Sequence, residues 1–344
     1  MTDTHPPAPA FVSLPQRLIL ADRVGGFLCR VSNRFRMKYS VATGLHALGT
    51  PAPDSPVLVT ANFRLTLNVL RSALADRDVW ILAVDTKGIN VWCAAGKGSF
   101  GTGSIVHEIN SSQLRKIVTT TTLILPQLGA SGVNASKLQK ESGFSVKFGP
   151  VRAADIPAYL DAGCIATKEM RQVHFPLVDR LKLIPMEAIP ATKILMIFLL
   201  AAATLFGITK TGILFRPALT GVFPLAIAGF TAVFTGSVLV PALLPFIPFR
   251  AFTLKGVVLG CAGAVTLVTT LPVFRTNLFL TAFCLVAVPA LSSFCAFLFT
   301  GSTTYTSPSG VKAELKKAWP LFITGAVTST LLFVATLITF RRLP

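Results

Sequence analysis

After Pro190 the chain carries a single acidic residue, Glu314, whereas 13 of its 14 acidic residues and 21 of its 32 lysines and arginines come earlier. A stretch that long, almost without carboxylates and built of apolar runs, cannot cover itself with a soluble surface. Its 11 basic residues fall between the runs, as loops and helix ends do at a lipid surface. The two parts thus carry +8 and +10, and they are chemically unlike. At 52% hydrophobic residues, 13% charged residues and a mean hydropathy of +0.66, the whole is too apolar for a soluble enzyme of 344 residues.

Five membrane spans are predicted, at about 194–208, 218–240, 256–274, 278–300 and 319–340. The first is short and must borrow from its flanks. The uncharged run between Arg216 and Arg250 exceeds one span, and Pro241, Pro245 and Pro248 predict a bent or interfacial tail. With the first half inside, the inner flanks carry Arg180, Lys182, Lys193, Arg250, Lys255, Lys312, Lys316 and Lys317, against Lys210, Arg216, Arg275, Arg341 and Arg342 outside. No acid or histidine falls within a span, which argues against an ion or proton pathway and for an anchor and assembly platform. The polar, Pro-rich MTDTHPPAPA does not read as a signal peptide, so the expected location is the inner (cytoplasmic) membrane, multi-pass, with the N-terminal half in the cytoplasm.

Residues 1–14 read as a leader. A basic stretch follows, with Arg17, Arg23, Arg30, Arg34, Arg36 and Lys38 against Asp22 alone. It is read either as a solvated face or as a surface for anionic lipid or an acidic electron-transfer partner. From Pro56 strands alternate with helices: strands at 56–60, 79–84, 121–125 and 144–148, helices at 65–74, about 104–118, and one opened by Asp155 with Pro157 in its first turn. The expected organisation is a leader and basic segment (1–40), a cytoplasmic α/β domain with a Rossmann-like parallel sheet (41–190), and an all-α transmembrane domain of five helices (191–344).

Within the α/β part, NVWCAAGK (Asn90 to Lys97) sets one thiol at the start of a short helix. Asn90 is its expected N-cap and Cys93 its third helical residue, in the positive end of the helix dipole, where a thiolate and therefore a soft metal ligand is favoured. Lys97 adds positive charge and Trp92 an aromatic wall. Ala94, Ala95 and Gly96 permit close approach of a large ligand. The competing reading is a buried thiol packed beside Trp92. GKGSFG (96–101) fits a dinucleotide fingerprint but follows a helix and is not answered by an acid near 121, so a plain Gly-rich turn is the better reading. The remaining cysteines, at 29, 164, 261, 284 and 295, show no CxxC pair, and His5, His46, His107 and His174 are scattered. They suit surface or structural roles and neither a disulfide framework nor a zinc site.

The complete octapeptide resembles the signature of the mercury-methylating corrinoid proteins. VTANFRLT (59–66), LPQLGASGV (125–133) and SGFSVKFGPVRAADIPAYL (142–160) resemble the corrinoid-binding domain of corrinoid iron-sulfur protein large subunits, which lack the cap-helix cysteine and the membrane half. The resemblance implies a corrinoid cofactor (cobalamin, with its cobalt) whose lower axial ligand is Cys93, on a cap helix that brings Asn90, Trp92, Ala94, Gly96 and Lys97 to the site. It implies corrinoid contacts from Thr60 and Thr66, at or just past the carboxyl end of a strand, where open parallel sheets bind ligands. Gln127 to Gly132, with Gly129, and Gly149 to Ala153 would line the nucleotide tail, although ordinary turns look the same. The implied activity is methyl transfer from methylcobalamin to inorganic Hg(II), a corrinoid-dependent methyltransferase giving methylmercury. The alternative is a membrane-anchored corrinoid methyltransferase or methyl carrier for another acceptor in C1 metabolism. Implied partners are a ferredoxin-like protein with two 4Fe–4S clusters as electron donor, a methyl donor from a tetrahydrofolate-linked C1 pathway, the lipid bilayer and no nucleic acid, in an anaerobic cytoplasm.

Overall fold

The computed structural model describes residues 11–209, 212–301 and 303–342. The leader through residue 10, with His5, and also Lys210 lie outside them. The chain divides into two compact units that part between His174 and Phe175.

The first unit runs β1 (Val12–Leu14), α1 (Leu20–Val31), α2 (Asn33–Arg36), β2 (Gly44–Leu48), β3 (Val57–Ala61), α3 (Arg64–Ala73), β4 (Val79–Val84), α4 (Val91–Lys97), α5 (Thr102–Ser111), α6 (Leu114–Ile117), β5 (Thr122–Leu125), α7 (Ala135–Ser142), β6 (Ser145–Phe148) and α8 (Ile156–Asp161). Six strands form one sheet in the order β1-β2-β4-β3-β5-β6. Strands β3 to β6 are mutually parallel, as the alternating pattern predicts, while β2 runs antiparallel to β4 and carries β1 beside it. The sheet is therefore mixed, mostly parallel. Every residue of β3 and β4 is buried, which is why both read as unbroken apolar runs.

Residues 12–14, read as part of the leader, are in fact the edge strand β1, and other expectations also need adjustment. The single helix over 104–118 is two, because Gln113 turns left-handed (φ +51°) between α5 and α6. The helix opened by Asp155 is as expected, Asp155 being the N-cap residue of α8 and Pro157 lying in its first turn, although a 3-10 turn over Ala153–Asp155 leads in and the Asp155 side chain makes no cap bond. The basic stretch is not simply a solvated face. It supplies α1 and α2, and its one acid, Asp22, is buried and bonds Arg71 at 2.9 Å and Arg64 at 3.1 Å. Arg71 also donates to the carbonyls of Pro15 and Arg17, tying the approach to α1 onto α3.

The second unit is helical: α9 (Leu177–Leu181), α10 (Ile184–Gly207), α11 (Phe215–Phe234), α12 (Val240–Ala242), α13 (Phe252–Thr270), α14 (Leu278–Leu298) and α15 (Pro308–Arg342). Five helical stretches are long and apolar enough to cross a membrane: Leu177–Gly207, Phe215–Ala242, Phe252–Thr270, Leu278–Gly301 and Ser309–Arg341. The stretch 176–190 is mostly helical, and Pro190 lies inside α10, which lengthens the first span. The third span begins and ends four residues earlier than 256–274, its end being set where Pro272 opens a 3-10 turn. After a π-helical turn at Thr235–Leu239 and the short α12, the chain leaves helical geometry in the proline-rich tail.

Candidate functional site

Strand β3 passes through α3 to β4 on one side, while its neighbour β5 passes through α7 to β6 on the other. Adjacent strands whose connections diverge leave a crevice at their carboxyl ends, the usual ligand position in open α/β sheets. A groove of about 380 Å³ occupies that position here. Its floor is Leu58 to Thr60 and Ile124 to Pro126, and its walls include Phe63, Thr66, Trp92, Gly149 and Ala153.

Of the residues singled out in the sequence, Thr60, Thr66, Asn90, Trp92, Gly149 and Ala153 line the groove together, and Leu128, Pro150 and Val151 of the two expected tail segments line it with them. Thr60 is buried at the end of β3, and Thr66 sits half-buried in the first turn of α3. The Asn90 side chain accepts the Cys93 backbone N–H at 2.9 Å, so Asn90 is the N-cap and Cys93 the third helical residue of α4. Val91, Ala94 and Ala95 are buried on the inner face of α4, whereas Cys93 is half-exposed and Gly96 and Lys97 are exposed. Trp92, Cys93, Gly96 and Lys97 thus form its outward stripe, at helical spacing.

The remaining individually named residues, Cys93 and Lys97 among them, do not line the groove. Ala94 and Ala95 are small for an internal reason: α4 packs on the 3-10 turn Gln127–Gly132. A Cβ on Gly132 would lie 3.1 Å from the Ala95 Cα and collide with the Phe100 carbonyl oxygen, and one on Gly129 would lie 2.7 Å from the Phe100 ring. The Gln127 side chain accepts from Arg171 at 3.2 Å. Gly96 differs, since a Cβ there would meet nothing within 4 Å. Glycine inside a helix costs about 1 kcal/mol relative to alanine, and no packing within the chain requires it. GKGSFG is the joint between α4 and α5: Gly98 is the left-handed C-cap (φ +82°) and Phe100 is fully buried.

Two sets of residues escaped the sequence reading. Arg30 and Arg36 border the groove, Arg36 lying over the Phe63 ring at 5.6 Å. Their charge was visible but their position depends on the fold of α1 and α2. Asn62 is buried and organises the loop before α4: its Oδ1 accepts from the backbone N–H of Thr86 (3.0 Å) and Gly88 (3.1 Å), and its amide donates to Asp85 (3.2 Å). The Thr86 hydroxyl lies 2.7 Å from the Ile89 carbonyl oxygen, next to the N-cap. The only signal for this was the position of Asn62 directly after a strand. His46, in β2, is buried beside the Gly44 carbonyl, and burial holds its pKa below the usual histidine value, as suits a structural residue.

The donor set fits a metal already held in a macrocycle. Cys93, a free and half-exposed thiol that follows groove-lining Trp92 in the chain, is a single soft donor but is not itself a lining residue, and among the described residues no three of His, Cys, Asp and Glu gather as a cage.

Residues 35–160 match the family model of the CO dehydrogenase/acetyl-CoA synthase delta subunit, a match lying wholly within the first unit. Similar curated proteins are gamma subunits of the acetyl-CoA decarbonylase/synthase complex. That of Methanosarcina acetivorans is 33% identical over 130 residues and that of Archaeoglobus fulgidus 30% over 128. That of Methanopyrus kandleri is 33% identical over 129. In each case the aligned part is 37% of this chain and 27% of the relative, so the chain spans about a quarter of the length of these relatives.

Proposed function

We propose that the first unit holds a corrinoid at the switch-point groove, that Cys93 would be the protein's ligand to its cobalt, and that the chain is a membrane-anchored methyltransferase passing a methyl group to Hg(II). The observation carrying this reading is that Thr60, Thr66, Asn90 and Trp92 meet around the switch-point groove, with Cys93 next to Trp92 in the chain and half-exposed on α4. When bound, a corrinoid supplies a cobalt-held methyl group transferable to an electrophile.

The chain's own residues do the rest. Asn90 holds the Cys93 backbone N–H at the start of α4, and Asn62 holds the loop that leads into it. Thr60 on the groove floor and Thr66 in its wall offer hydroxyls, and Arg30 and Arg36 place positive charge at the groove margin, suited to the phosphate of a nucleotide tail. Cys93 would offer a soft sulfur donor to the cobalt of a bound corrinoid, and the cobalt-held methyl group that such a cofactor supplies would suit a soft electrophile such as Hg(II). Reducing electrons from a ferredoxin-like partner, methyl groups from tetrahydrofolate-linked C1 metabolism and an inward-facing first unit complete the proposal.

The test is the visible spectrum and cobalt content of the full chain purified anaerobically with cobalamin, wild type beside Cys93→Ala, followed by methylmercury assay. Wild type should hold stoichiometric corrinoid with an altered visible band, and the variant should lose the band and fall to background output. Equal methylmercury from both would sink the axial-ligand reading. The similarity to acetyl-CoA decarbonylase/synthase gamma subunits favours a second reading, a methyl carrier for another acceptor. Loss of the protein-held methyl to other C1 acceptors but not to Hg(II) would select it.

A further inference from the structure

Helix α1 is turned inside out relative to an ordinary surface helix. Asp22, Gly25, Gly26 and Cys29 face inward, and Gly25 lies so close to the Tyr39 ring that a Cβ would collide with it. The outward face is apolar. Leu20, Val24 and Phe27, at helical spacing, are 76%, 48% and 63% exposed, and Ile19 just before them is 57% exposed. No part of the described chain covers this row.

The charge around it is of one sign. Arg17, Arg23, Arg34 and Lys38 are all exposed, and the only acid between residues 11 and 40, Asp22, is buried in its bonds to Arg64 and Arg71. An apolar helical row rimmed by uncompensated cations is the composition of a helix lying in a membrane interface. The same chain carries five helices long and apolar enough to cross a bilayer, which keeps lipid within reach of the first unit.

We infer that α1 docks onto an anionic lipid surface, with Ile19, Leu20, Val24 and Phe27 in the headgroup region and Arg17, Arg23, Arg34 and Lys38 on lipid phosphates. The same segment supplies Arg30 and Arg36 to the groove, so docking brings the groove margin to the lipid surface. This stands whether or not the groove holds a corrinoid.

The experiment uses the full chain, wild type and Phe27→Trp, in vesicles of phosphatidylcholine alone or mixed with phosphatidylglycerol, with brominated lipid as the quencher. Trp80, Trp92 and Trp319 give the wild-type baseline. Quenching of the variant above that baseline is expected only when phosphatidylglycerol is present, and adding Arg23→Glu and Arg34→Glu should abolish the excess. No excess in either vesicle overturns the inference, and equal excess in both overturns the role of charge. Excess that follows protein density rather than lipid composition assigns the face to a second copy instead. Deuterium exchange of residues 19–31 in the unsubstituted chain gives a variant-free check: slowing with phosphatidylglycerol supports docking, and unchanged exchange overturns it.

Discussion

Buried polar side chains do different work in the two units. In the first they hold loops that have no regular structure of their own: Asn62 accepts the N–H groups of the loop before α4, and Asp22 joins α1 to α3 through Arg71 and Arg64. In the second they repair broken helices. Pro245 and Pro248 lack the N–H groups that would bond the carbonyls of Pro241 and Leu244 in a continuing helix. Buried Arg180 donates instead to Pro241 and Ala242, at 2.9 and 2.7 Å, and buried Lys255 to Leu244 and Ile247, at 2.9 and 2.6 Å. The contrast teaches where to expect separable effects. Polar substitutions in the first unit should move the site, and those in the second should move only the integrity of the helical unit.

The largest effect on stability should come from Asp22→Ala, which leaves Arg71 buried without its counter-charge. Loss of about 3 kcal/mol is expected from breaking a buried pair, read as earlier thermal unfolding of the first unit. Burial alone would raise the Asp22 pKa, but hydrogen bonds from Arg64 and Arg71 outweigh it and hold the carboxyl below its ordinary 3.8. A lowered folded pKa gives stability that is present above the unfolded value and lost as pH falls through the folded one. Wild type should therefore lose stability on acidification below about pH 4, and the variant should lack that part of the acid limb. An unchanged acid limb would break the argument.

Asn62→Ala should come next, at about 2 kcal/mol for backbone donors left buried and unsatisfied. Because those donors belong to the loop before α4, corrinoid retention should fall more than global stability does. Equal loss of corrinoid from an equally destabilised variant remote from the groove would reduce Asn62 to a purely structural residue.

The elements were legible where periodicity and charge speak alone. The four parallel strands, the cap helix with its Asn90 cap and the five spans follow from alternation, one N-cap signal and the loss of acids after Pro190. What was not legible depended on distant partners. The buried role of Asp22 needs Arg71, 49 residues away, and β1 and β2 join a sheet whose rhythm begins only at Pro56. The break at Gln113 carries no glycine or proline to announce it. At the site, strand ends and cap helix could be named, but the glycines of 127–132 could not be told from ligand-facing ones until Phe100 and Ala95 were seen against them.

Lys255→Met tests the other side of the contrast. It strands the Leu244 and Ile247 carbonyls at a cost of about 1–2 kcal/mol, seen as a lower midpoint for the helical unit in detergent. Corrinoid retention should not change. A parallel loss of cofactor would mean that the two kinds of buried polar group are not separable.

The smallest effect isolates α4. Asn90→Ala removes one cap, worth about 1 kcal/mol, while Asn90→Asp keeps an acceptor for the Cys93 N–H. Since α4 is only seven residues long and its outer stripe faces away from the core, a frayed first turn should displace the Cys93 sulfur without unfolding the unit. The expected signature is a visible band shifted towards that of Cys93→Ala at unchanged unfolding temperature, restored by aspartate. If alanine and aspartate behave alike, the cap does not position the thiol, and the groove residues must orient the ligand without it.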